Sequence, residues 1–91
     1  MTERQKLKVL DKLDMGHSLD GFKQISVEDI ITDEREFYIA SKGVCSRTNY
    51  VMKKIDIQML LESGQEIPRD WLKVMLLAKK NVANYIRKNR Q

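Results

Sequence analysis

Apolar residues recur at helical spacing along much of the chain. Leu7, Leu10 and Leu13 fall three apart against a background of Glu and Lys, with Val9 beside them, which predicts a first helix over residues 3–14. Gly16 is placed to end it as a C-terminal cap, and Ser18 to cap a short turn that carries Leu19 and Phe22. Ser26 is the next start signal. Its side-chain oxygen can accept from the free amides of a first turn, Glu28 and Asp29 sit where the helix dipole favours acids, and Val27, Ile30 and Ile31 supply an apolar face. This helix is expected to end near Asp33 or to run on towards Ser41.

Residues 35–55 admit two readings. As helix, Phe37, Tyr38, Ile39 and Ala40 extend the preceding element, Gly43 stops it, and Ser46 caps another. As sheet, EFYIAS and TNYVMKK are two strands joined around Lys42 and Gly43, with aromatic and β-branched residues in both arms. The hairpin is preferred, because FYIA and NYVM are not amphipathic at helical spacing. Residues 56–63 then form a short helix capped by Asp56 and closed by Gly64, with Ile57, Leu60 and Leu61 inward. Pro68 suits a first helical position, and one long helix is expected from there to about residue 89. The expected fold is mostly α. It is one small domain over residues 1–91 with four to five helices and, on the preferred reading, one β-hairpin around residues 36–54 in a winged-helix-like arrangement.

Composition narrows the function classes. The chain has 91 residues, 42% hydrophobic and 33% charged, which is a globular balance. No apolar run approaches the roughly 20 residues that cross a bilayer, so no membrane association is expected. The charged start, MTERQKLKVLDKLD, does not read as a signal peptide, and together with the lone thiol of Cys45 it fits a cytoplasmic protein. One Cys and one His exclude an internal disulfide and the usual zinc sites, and no cofactor is expected. A chain this short buries only roughly 60–65% of its unfolded surface. A homodimer is therefore expected to supply further burial.

Charge is unevenly placed. Residues 1–45 carry seven basic and nine acidic side chains, whereas residues 46–91 carry ten basic and four acidic. From Trp71 onward the charges are Lys73, Lys79, Lys80, Arg87, Lys88 and Arg90, with no acid. At about 100° per residue, Trp71, Met75, Ala78, Val82, Tyr85 and Ile86 collect on one face of the last helix. Lys73, Lys80 and Arg87 recur every seven residues on the other, with Asn84 beside them. Leu76 and Leu77 fall on the flanks of the apolar face. A basic ridge of this kind suits the phosphates of duplex DNA, where displaced counterions provide affinity. The competing interpretation is a solvated face whose basic bias suits the helix C-terminus. A second basic cluster, Arg47, Lys53 and Lys54 around Tyr50, reads either as a DNA-contacting wing or as an edge strand protected by lysines.

Glu28, Asp29, Asp33, Glu34 and Glu36 form an acidic stretch. It lacks the basic residue at fixed spacing that metal nucleases need, and reads as a solvated helix start or as a docking patch for a basic protein partner. His17 and Cys45 have no partner in any catalytic motif, and there is no phosphate loop, GxGxxG or CxxC. No enzymatic activity is expected.

Two stretches resemble excisionase-type winged helix-turn-helix proteins. Ile25-Ser26-Val27-Glu28-Asp29-Ile30 is similar to the opening of their first DNA-binding helix. Tyr50-Val51, Lys54, Asp56-Ile57 and Leu60-Leu61 are similar to a second wing strand leading into an Asp-capped helix. The segment between them, 32–48, is too short for both a recognition helix and a full wing, so membership does not follow. The expected function is a small DNA-binding regulator or accessory factor that contacts duplex through Lys73, Lys80, Arg87, Lys79, Lys88, Arg90, Arg47, Lys53 and Lys54. The alternative is a protein-interaction module docking through the acidic stretch or through Leu76 and Leu77.

Overall fold

The computed structural model describes residues 2–15 and 26–89. The cap and short turn expected at Gly16, Ser18, Leu19 and Phe22 lie outside them, as do His17 and Arg90. The described chain forms five helices: α1 (Glu3–Lys12), α2 (Val27–Ile30), α3 (Glu34–Ala40), α4 (Arg47–Glu62) and α5 (Arg69–Asn89).

There is no strand among the described residues, so the hairpin expected at 36–54 is corrected to two helices and a turn. Caps at both helix starts and burial of one helical face together produce this outcome. The Asp33 carboxylate accepts from the Glu36 amide at 2.8 Å and starts α3. Ser46 Oγ accepts from the Asn49 amide at 3.2 Å and starts α4. Between them Lys42 and Gly43 take left-handed φ angles of 58° and 76°. The two runs fail helical periodicity because their off-phase residues face solvent: Tyr38, Ile39 and Met52 are exposed. The in-phase residues Phe37, Ala40, Tyr50 and Ile57 are buried, and the Phe37 and Tyr50 rings meet at 5.3 Å. Strand propensity yields here to capping and to tertiary burial of one helical face.

Two further expectations are revised. Asp56 caps nothing; it is exposed in the middle of α4, which runs unbroken from Arg47. Ser26 precedes α2 as expected, but its hydroxyl does not cap it. That hydroxyl lies 3.2 Å from the Asp14 carbonyl oxygen and accepts from Lys54 Nζ at 3.2 Å.

The core gathers Leu13, Ile31, Phe37, Tyr50, Ile57 and Met75, all fully covered. α3 packs on α4 and α5, α2 packs on the same two, and α4 packs on α5. α1, α3 and α4 end in the same way. The amide two residues past each C-cap returns to the third-last helical carbonyl, namely Met15 to Leu10, Gly43 to Tyr38 and Gln65 to Leu60. The residue just past each C-cap is left-handed, Asp14, Lys42 and Gly64 in turn, and Gly43 follows Lys42 in that region.

Candidate nucleic-acid interface

α5 is anchored along its length. Met75, Ala78 and Val82 are buried, and Trp71, Leu72, Tyr85 and Ile86 pack against the core. Its opposite side carries Lys73, Leu77, Lys80, Asn84 and Arg87, all exposed. The helix is about 31 Å long, and the three basic residues stand about 10 Å apart along its axis. Among the described residues no carboxylate forms an ion pair with Lys73, Lys80, Arg87 or Lys88. The single acid of the helix, Asp70, lies in its first turn. The periodicity of the last helix thus translates directly into a straight, rigidly held row of unpaired cations.

Four of the other expected basic residues, Arg47, Lys53, Lys54 and Lys79, have internal partners. Lys54 is buried and forms a 2.6 Å ion pair with Glu28, so it is withdrawn from the outward basic cluster. Arg47 Nε donates to the Glu28 carbonyl oxygen at 2.9 Å. The Lys53 ammonium lies 5.0 Å from the centre of the Trp71 ring. Lys79 forms a 3.0 Å ion pair with Asp14 and also donates to the Lys12 carbonyl oxygen, which ties the end of α1 to α5. A helix in place of the wing turns this cluster towards the protein.

The acidic stretch is dispersed as well. Glu28 is buried and Asp33 caps α3, while Asp29 is exposed. Glu34 accepts from both the amide and the hydroxyl of Thr48 at 3.0 Å, and the backbone bond above all holds its carboxyl below the ordinary value. The Tyr85 hydroxyl donates to Glu36 at 3.3 Å. The break between α2 and α3 gives these carboxylates separate partners, and of the five only Glu28 is buried.

The structure adds a basic residue that periodicity did not single out. A groove with a volume of about 180 Å³ runs between the end of α3 and the last turns of α5, lined in part by Ile39, Lys42, Asn84, Tyr85 and Lys88. Asn81 Nδ2 donates to the Ser41 carbonyl oxygen and Asn89 Nδ2 to that of Tyr85, each at 2.9 Å. Asn84 makes no such bond among the described residues, so its amide is free for a ligand. The one local signal for Lys42 was its place beside Gly43 at a helix end.

A second exposed surface lies on α4. Met52, Ile55 and Met59 share one face and are 52%, 47% and 62% exposed. Asp56 and Glu62, both exposed, flank that row on either side. Leu76 is half-buried and Leu77 stands within the basic row of α5. Neither forms an apolar surface of its own.

The remaining reactive groups are subdued. Cys45 is half-buried, and burial pushes its thiol above the ordinary value, which disfavours the reactive thiolate. Among the described residues no group of three His, Cys, Asp or Glu side chains is placed to hold a metal ion. No helix among them is long and apolar enough to cross a membrane. No protein-family model matches the chain, and no curated protein or solved structure shows significant similarity to it.

Proposed function

We propose that this protein binds duplex DNA through the outer face of α5 and acts as a regulator or accessory factor without enzymatic activity. The observation that carries this reading is the exposed, unpaired row Lys73, Lys80 and Arg87 on a helix whose other side is buried from Trp71 to Ile86. A row that made only internal ion pairs would have no charge to offer, and Lys54 and Lys79 show what that looks like in the same molecule. Held rigidly, the row meets phosphates without ordering long segments first. Asn84 within it has the donor and acceptor pair that suits an adenine edge in the major groove. The test is fluorescence anisotropy on a labelled random duplex across a salt series. A log–log slope of several units supports the reading, since each neutralised phosphate contributes roughly −0.9. Absence of binding at low salt overturns it.

The α4 row favours a second reading, docking on another protein. Its apolar centre and acidic edges, Asp56 and Glu62, suit an amphipathic helix with basic edges. A second copy of this chain fits less well. Pairing α4 with itself in either direction brings acid beside acid. Binding of a basic amphipathic peptide that is lost in Ile55→Lys and only partly weakened by salt supports docking. Self-association abolished by Ile55→Lys replaces it with the homodimer.

A further inference from the structure

We infer that Lys42, with Lys88, grips a backbone phosphate of the bound duplex in the groove beside Asn84. The inference rests on the nucleic-acid reading and extends its surface from α5 to the turn between α3 and α4.

The three matching helix ends carry the argument. Each places the residue just past its C-cap in the left-handed region, where glycine is unstrained and an L side chain is not, and the end of α3 places Gly43 there as well. Gly64 has no side chain, and an added Cβ there would meet nothing within 4 Å. Asp14 uses its side chain internally, in the ion pair with Lys79. Lys42 accepts the same backbone strain at φ 58°, yet its ammonium has no partner among the described residues. Glycine would serve the turn better, so the lysine side chain does something the turn does not need.

The surroundings say what that is. Lys42 and Lys88 line the same groove of about 180 Å³, and neither is paired with a carboxylate among the described residues. Two cations that line one groove without a carboxylate partner raise its positive potential and favour an anion there. Asn84 adds an uncommitted amide at the wall that joins the groove to the row of Lys80 and Arg87. The backbone of the groove is fixed. Asn81 holds the Ser41 carbonyl, and the Ser41 hydroxyl is buried 2.9 Å from the Cys45 carbonyl oxygen. Lys42 therefore projects from a hydrogen-bonded base next to the row, where its ammonium can meet a phosphodiester.

The decisive variant is Lys42→Gly, because function and stability should move apart. Its thermal midpoint should hold or rise as the strain is relieved. Its affinity for random duplex at low salt should fall several-fold, with a salt slope reduced by less than about 0.9 because Lys88 still faces the phosphate. Lys88→Gln should behave alike, and the double variant should lose about 0.9 in all, since both grip a single phosphate. Wild-type slope and affinity in Lys42→Gly overturn the inference and leave the α5 reading standing. A slope loss of about two in the double variant overturns the shared phosphate. If the wild-type protein shows no salt-dependent binding, the nucleic-acid reading falls, and this inference falls with it.

Discussion

Lys54 Nζ lies 2.6 Å from Glu28 Oε2 inside the protein, with about a tenth of each side chain exposed. The pair joins α2 to the middle of α4 across 26 residues of sequence. Lys54 Nζ also lies 5.4 Å from the centre of the Tyr50 ring and donates to Ser26 Oγ. Glu28 Oε1 is buried without a partner among the described residues.

Removing one member should therefore hurt more than removing both. Lys54→Met leaves Glu28 buried and unpaired and should cost about 3–5 kcal/mol in urea unfolding. The double variant Glu28→Leu with Lys54→Met should recover most of that loss. Equal losses in the single and double variants would contradict this account of the interior.

The Tyr50 hydroxyl is also buried without a partner among the described residues. Tyr50→Phe removes only that group and should leave stability unchanged or raise it by up to about 1 kcal/mol. Burial, reinforced by the nearby Glu28 carboxylate, raises the phenol well above the ordinary value of 10.0. In the unfolded chain it ionises near that value. The stabilisation is complete below pH 10 and is lost as pH rises further, by about 1.4 kcal/mol per unit. Tyr50→Phe should flatten the alkaline limb of the stability curve. An unchanged limb would show that the hydroxyl titrates in the folded protein.

Changing Lys73, Lys80 and Arg87 together to Glu should abolish duplex binding and leave the helical circular dichroism intact. Each position is exposed and unpaired, so each change should move stability by no more than about 0.5 kcal/mol. Binding retained at low salt in this triple variant would remove α5 from the interface.

Lys79 tests the distinction between outward and stitched cations. A double-mutant cycle with Asp14 should give a coupling of about 0.5–1 kcal/mol for this partly exposed pair. Lys79→Gln should speed amide exchange in α1 but leave the salt slope of duplex binding unchanged. A slope reduced by about 0.9 would instead place Lys79 on a phosphate.

The two faces of α5 are legible in the amino-acid order, because each depends on residues three, four and seven apart in one helix. Met75, Ala78 and Val82 lie inside, and Lys73, Lys80 and Arg87 outside, as the 3.6-residue period requires. The start of α2 after Ser26 and the stop at Gly64 are legible for the same local reason. At 36–54 propensity and capping signals point in opposite directions. Aromatic and β-branched residues suggest strands there, while Ser46 offers a helix start, and the cap at Asp33 shows only in the folded chain.

The helical class, the amphipathic last helix and the surplus of positive charge in the second half all follow from composition or from neighbours along the chain. Folding in three dimensions was needed to make 36–54 helical, to spend Lys54 and Lys79 internally, and to stand Lys42 beside Lys88. Each of the three lysine placements depends on groups far apart in sequence: Glu28 for Lys54, Asp14 for Lys79, and the end of α5 for Lys42. A lysine in the sequence carries its charge in either setting. Whether that charge reaches solvent depends on which carboxylate the folded chain brings to it.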